Sequence, residues 1–293
     1  MNELEVSMQC RLCGNEQIKP LWVANQCQLD RCGRCDFVQV RQQPSEAELK
    51  QIYSASYFAH SKYRDEENQR RENRRRMNLI EQAGVADGAR VLDAGCATGD
   101  FIEFVDGRFD MWGLDISPAA IELARQKNPN VAGQLHAGLL EQQSFEADFF
   151  DAVVLWDVIE HVWDPVATCQ GLMRVLRPGG HLLLSTPDIS APIARVMKKR
   201  WAFMTPPEHL GFLGRNNMRQ LLEGALGGDS VAVERFGKWV NLGFLFYKLR
   251  RVFPWIPEGL VRAIGNSAMS HWSLYIPTMD IQYARVRKPV EDR

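Results

Sequence analysis

The sequence predicts an α/β fold built on a parallel-dominated, seven-stranded sheet with flanking helices, preceded by a small cysteine-rich module. Three observations carry that expectation. From residue 90 onward short apolar runs alternate with amphipathic stretches, the pattern of strands joined by crossover helices. The first of those runs ends in a turn of small residues, VLDAGCATGD at 91–100. Five of the chain's seven cysteines crowd into the first 35 residues. A chain of 293 residues can bury one large core and carry a small satellite beside it.

The N-terminal module, residues 1–44, is read from its cysteines. Cys10 and Cys13 are separated by two residues, as are Cys32 and Cys35, with eighteen residues between the pairs. Without an export signal the thiols are expected to stay reduced, so metal binding is favoured over disulfides. The spacing matches a four-thiolate zinc site, closed to substrate and therefore structural. Such an ion folds a segment too short to bury its own core. Cys27 is a spare, and Cys96 and Cys169 fall in apolar patterns as small core residues.

Residues 45–88 read as a helical connector from Pro44-Ser45-Glu46 to the stops at Gly84 and Gly88. Within it Arg70, Arg71, Arg74, Arg75 and Arg76 lie among Asp65, Glu66, Glu67 and Glu72, a pattern expected to be a solvated helix face. The main domain, 89–237, supplies the strand-like runs RVLDAG, MWGLDIS, QLHAG, FFDAVVLWD, HLLLSTP and SVAVERFG, and DIQYARVRK closes the sheet. The C-terminal part, 238–293, includes an insert at 238–279 rich in Trp, Phe and Leu.

The 35 basic and 36 acidic side chains balance, leaving no global attraction for nucleic acid. No apolar run reaches the length of a membrane span, and the N-terminus lacks the apolar core of a secretion signal. The expected location is the cytoplasm.

What the turn holds follows from its residues. Gly95-x-Ala97-x-Gly99 does not meet the GxGxxG spacing that lets a backbone close on a pyrophosphate, and Asp93 just before it would repel one. Asp115, 22 residues beyond Asp93, closes the next strand, where a carboxylate can accept both hydroxyls of a ribose. Together they suit a nucleoside that carries an amino acid.

These motifs resemble the class I S-adenosylmethionine-dependent methyltransferases. VLDAGCATG matches their first motif with Ala97 for the middle glycine, and Asp115, WDVIEHV and LRPGGHLLLSTP follow in order, covering roughly residues 88–237. The resemblance implies a Rossmann-like fold and S-adenosyl-L-methionine as cofactor. It carries Gly95, Ala97 and Gly99 to the methionine portion, Asp93 to the turn and amino group, and Asp115 to the ribose. Ile116 and Asp157 complete the expected cofactor contacts. The acidic residue the family often places after the third strand is replaced here by Gly138-Leu139, with Glu141 as substitute.

Methyl transfer needs a positioned nucleophile and, for a hydroxyl or carbon acid, a base. Asp157, Glu160 and His161 stand at i, i+3 and i+4, spacing that predicts one helix face, with Asp157 and Glu160 as a capping box. The segment is similar to one in quinone-pathway O-methyltransferases, where an acidic and His cluster holds a divalent metal. Downstream, TPPEHL at 205–210 resembles the acceptor loop of sugar methyltransferases that carry an N-terminal four-cysteine module. That likeness implies His209 as base, with Glu208 and His161 as further catalytic residues and Tyr53 and Tyr57 facing the acceptor. Their further C-terminal domain is not expected here, and Thr and Pro stand where they carry a Tyr before the Glu-His pair.

The expected function is methyl transfer to a small-molecule acceptor: a sugar, a nucleotide-sugar or a lipid-linked glycan precursor. Phenol O-methylation is the first alternative. RNA methylation is disfavoured by the balanced charge and by WDVI standing where an amine-acceptor motif belongs. A cofactor-binding scaffold subunit is the non-enzymatic alternative. The insert is read as a helical cap or homodimer surface, with peripheral membrane contact through Lys248, Arg250 and Arg251 as the other reading.

Overall fold

The computed structural model describes residues 9–45, 48, 66–253 and 255–290. In the first of these stretches β1 (Ile18–Ala24), β2 (Cys27–Cys32) and β3 (Val38–Val40) form an antiparallel meander. Helix α1 (Glu66–Gln82) leads to the main sheet, built from β4 (Arg90–Ala94), β5 (Asp110–Asp115), β6 (Leu135–Ala137), β7 (Phe150–Trp156) and β8 (Leu176–Pro187). Between those strands lie α2 (Asp100–Phe104), α3 (Pro118–Lys127) and α4 (Pro165–Val175). After β8 come α5 (Pro192–Met197), β9 (Gly211–Phe212), α6 (Arg215–Arg219) and β10 (Asp229–Asn241). Then α7 (Leu242–Val252), α8 (Glu258–Gly265) and β11 (Ser273–Arg287) close the described chain.

The large sheet has the order β10-β11-β8-β7-β4-β5-β6, parallel from β8 to β6 and antiparallel at β10 and β11. Seven strands in a Rossmann-like arrangement were expected, and seven are present. Strand β4 sits between β5 and β7, so the strand order reverses there and its carboxyl end opens a crevice, the usual ligand position in such sheets. Val91, Leu92 and Ala94 are buried, as a strand covered on both faces must be. One core cluster joins Leu92, Leu155, Leu172 and Leu184; a second joins Ile80, Val91, Val154 and Leu183.

Two local expectations are corrected. The segment Asp157–Trp163 is a turn, not a helix; Asp157 sits at φ 56° and caps nothing. The following helix is α4, and Asp164 caps it, its side chain accepting the Ala167 N–H at 2.9 Å with Pro165 in the first turn. The arginine run of α1 is not wholly solvated. Arg70 and Arg74 face water, but Arg75 and Arg76 have only 15% and 16% of their side chains exposed. Strands β10 and β11 also run longer than expected, to Asn241 and from Ser273. No helix among the described residues is long and apolar enough to cross a membrane.

Candidate active site

The donor side is built at the carboxyl end of β4. Gly95 (φ 88°) lets the chain leave the strand, and a Cβ there would stand 2.3 Å from Val158 Cγ2. Gly99 (φ 75°) is closed to side chains by Asn128 Nδ2, and Ala97 tolerates φ 46°. Asp115, ending β5, ties the turn in place: Oδ2 accepts the Ala97 N–H and Oδ1 accepts the Ser117 N–H, both at 2.9 Å. Each oxygen keeps a lone pair for a further donor. Ile116 stands exposed beside it.

Asp93 lies beneath the turn, 2% exposed, and its Oδ1 is buried without a hydrogen-bond partner among the described residues. Burial pushes its carboxyl up to about 7, against the opposing pull of the Arg76 charge. A buried carboxylate oxygen left unmatched beside a turn whose Gly95 and Gly99 have no room for a side chain calls for a cation. The ammonium and sulfonium of S-adenosylmethionine supply that charge, so the residues present fit the group. Burial likewise raises the Asp115 carboxyl, while the two backbone N–H groups act in the opposite sense.

Arg76, which the sequence reading assigned to a solvated face, closes the donor side. Its Nη2 pairs with Asp157 Oδ2 at 2.7 Å, and the guanidinium lies 5.6 Å from the Trp156 ring. Asp157 Oδ1 in turn accepts from Ser185 Oγ at 2.8 Å. Thus Asp157 ties α1 to the ends of β7 and β8 rather than starting a helix.

The candidate acceptor side follows directly in the chain. Glu160, 3% exposed, accepts the Thr186 hydroxyl at 2.9 Å, and its backbone carbonyl accepts the N–H groups of Leu210 (2.7 Å) and Gly211 (3.1 Å). Those bonds seat the 205–212 loop, with its cis Pro206-Pro207 bond, against the turn after β7. His161 and His209 meet edge to face, ring centres 4.7 Å apart. His161 Nδ1 stands 2.8 Å from the Glu208 carbonyl, which can only accept, so Nδ1 carries a proton. Ligand atoms of Glu160, His161 and His209 lie within 4.8 Å of one another, close enough to share a metal ion. Sequence-predicted Glu208 enters this arrangement through its backbone. Tyr53 and Tyr57 lie outside the described residues.

The four cysteines also converge. Cys10 and Cys35 sulfurs lie 3.6 Å apart, as do those of Cys13 and Cys32. Around one tetrahedral zinc the sulfur–sulfur edge is about 3.8 Å, from Zn–S bonds of about 2.3 Å, so the cluster fits that ion. Backbone N–H groups of Arg34 and Cys35 point at the Cys32 sulfur, as in a thiolate knuckle. Cys27 stands apart at the start of β2, and Cys96 and Cys169 are buried in the main domain.

Arg11, between the first two cysteines, was not singled out by the sequence reading. Its Nη1 donates to the Trp163 carbonyl (2.8 Å) and Nη2 to that of Leu210 (2.7 Å), and the guanidinium stacks 3.7 Å over the Trp163 ring. Burial lowers its pKa to about 10, still well above neutrality. Strand β9 extends the cysteine meander, pairing Phe212 with Val38 and Gly211 with Gln39. The loop bearing His209 is therefore part of the cysteine module's sheet. The only hint in sequence was an arginine placed inside a knuckle, which looks like any surface charge.

A family described as "Methyltransferase domain" matches residues 64–225. Over 116 residues the chain is 31% identical to a ubiquinone biosynthesis O-methyltransferase of Alkalilimnicola ehrlichii, covering 38% of this chain and 47% of that one. Over 104 residues it is 38% identical to a probable S-adenosylmethionine-dependent methyltransferase of Mycolicibacterium smegmatis, covering 34% and 39%. The chain thus spans about half the length of the curated relatives it matches, or less. Among solved structures, a SAM-dependent methyltransferase from Archaeoglobus fulgidus superposes with a TM-score of 0.53 at 16% identity, over 80% of this chain and 100% of that one. At that identity the likeness speaks for the fold.

Proposed function

The chain belongs to the methyltransferase-domain family; from that premise we propose that it is a class I S-adenosylmethionine-dependent methyltransferase that methylates a hydroxyl or acidic carbon of a sugar, nucleotide-sugar or lipid-linked glycan precursor. When bound, the donor supplies an electrophilic methyl group. Asp93 and the 95–99 turn hold its cationic amino-acid portion, and Asp115 accepts the ribose hydroxyls with Ile116 alongside. Asp157 keeps Arg76 at the rim of the cleft. His209 removes the acceptor proton, with its ring oriented against His161. His161 is itself oriented by the Glu208 carbonyl, and buried Glu160 lies within reach of both rings. Four cysteines hold a structural zinc ion, and Tyr53 and Tyr57 are assigned to the acceptor pocket.

The observation that carries this reading is the edge-to-face His161–His209 pair beside buried Glu160, three residues beyond Asp157 at the mouth of the donor crevice. Once an acceptor is found by profiling with labelled methyl donor, His209→Ala should lower turnover by about 100- to 10,000-fold, the usual weight of a general base. Donor affinity by calorimetry should stay within about twofold, since His209 lies on the acceptor loop. Unimpaired turnover in that variant removes the assignment.

A second reading, phenol O-methylation, is favoured by the names of the ubiquinone-pathway relatives and by the mutual proximity of Glu160, His161 and His209, which could hold a divalent ion against a catechol. Turnover of a catechol that requires added magnesium, with none of sugars, would select it.

A further inference from the structure

Strands β10 and β11 do not stop where the sheet does. The last β8 partner is Pro187 opposite Ile281, yet β10 and β11 go on pairing with each other from Lys238–Ile276 to Asn241–Ser273. This ribbon projects past the carboxyl edge, where the donor crevice and the histidine pair lie, and carries α7 and α8 at its end. Gly237 is fixed at its base, because a Cβ there would stand 2.2 Å from the Ile276 carbonyl oxygen.

The end of the ribbon gathers most of the exposed large hydrophobic side chains among the described residues. Ten of the sixteen exposed large hydrophobic residues among those described fall between 244 and 279. Trp255 is 78% exposed, Trp272 63% and Tyr247 54%, with Phe253, Leu260 and Leu274 also open. No residue of α8 is buried. An apolar face of this extent marks a binding surface, and Trp and Tyr are the residues that settle at a water–lipid boundary.

Charge selects the occupant. The insert 238–279 holds five basic residues and one acidic, whereas the whole chain is net −1. Lys238 is engaged by Asp280, and Arg250 and Arg262 share the single Glu258, so a surplus of about three positive charges remains. A second copy meeting this face across a twofold axis would bring that surplus against itself. An anionic lipid surface meets both requirements at once, burying the aromatics while neutralising the cations.

We propose that residues 238–279 dock the protein on anionic membrane surfaces, with the acceptor side of the crevice held near the headgroups. The inference does not depend on which acceptor is methylated. It is tested by flotation with phosphatidylcholine vesicles made with and without phosphatidylglycerol. Expected are association at least about tenfold stronger with the anionic vesicles, weakening as salt rises, and loss of at least about tenfold in a Trp255→Ser/Trp272→Ser variant. That variant should keep its affinity for S-adenosylmethionine, which shows that it is folded and separates this test from the proposed chemistry. No flotation with anionic vesicles, equal binding to both kinds, or an undiminished double variant overturns the proposal. So does a homodimer that the double variant dissolves while vesicles never recruit the protein.

Discussion

The donor and acceptor sides of the crevice are built by opposite strategies. The donor side comes from consecutive residues: Asp93, the turn 95–99 and Asp115 belong to one strand–turn–helix–strand unit, cross-linked by Asp115 holding the Ala97 N–H. The acceptor side is assembled from three distant pieces: the turn after β7, the 205–212 loop and the cysteine module. Arg11 bonds to the first two at once. The difference teaches that a tight turn with its carboxylates can be carried by one supersecondary unit, while a histidine on a loop is held in place by a separate body. Here the sheet of the four-cysteine module contains the strand just after His209.

The sharpest way to break the comparison is where the donor turn packs on the segment after β7, Gly95 against Val158. Gly95→Ala puts a side chain at φ 88° and 2.3 Å from Val158 Cγ2. Strain and overpacking together should cost about 3 kcal/mol of stability in thermal unfolding. Calorimetry should show donor affinity reduced by about 100-fold or more, because the turn that faces the donor must move. A variant with undisturbed affinity would mean that the turn is not the donor's seat.

A smaller effect sharpens the donor side alone. Burial raises the Asp93 carboxyl to about 7, above its unfolded value of about 4. The neutral form therefore contributes stability that is fully present below about pH 4 and is lost as pH rises through about 7. A cationic ligand favours the ionised form, so donor affinity should climb severalfold, up to about tenfold, between about pH 6 and 8, with proton release at the lower pH. Asp93→Asn should bind more weakly and with a flat profile, and it should gain stability over the native chain as pH rises, up to a few kcal/mol on the order of the shift. An equally steep profile in Asp93→Asn would assign the titration elsewhere.

The same contrast explains how much could be read from sequence. Period, turn chemistry and strand-end carboxylates are local, and they sufficed for the seven strands and for bringing Asp93, Gly95 and Asp115 together. The cysteine spacing is equally local, and the four sulfurs do converge. Legibility failed where long-range contacts override local pattern. Asp157, Glu160 and His161 have helical spacing, but the Glu160 carbonyl is engaged by Leu210 and Gly211, fifty residues on, and the chain turns instead. In α1 the alternation of signs looks like a solvated face, yet Trp156 and Asp157 lie against Arg76. Arg11 carries no sequence signal for its role, since its partners are backbone carbonyls, which every residue has.

The central claim, that the cysteine module holds the acceptor side and leaves the donor side to itself, is tested most directly by backbone hydrogen exchange on Arg11→Leu beside the native protein. The account predicts that amides in 158–163 and 205–212 lose protection by at least about tenfold, while those in 91–99 and 113–117 and the affinity for S-adenosylmethionine stay unchanged. Equal loosening of the donor turn, or acceptor segments as protected as in the native chain, would contradict it.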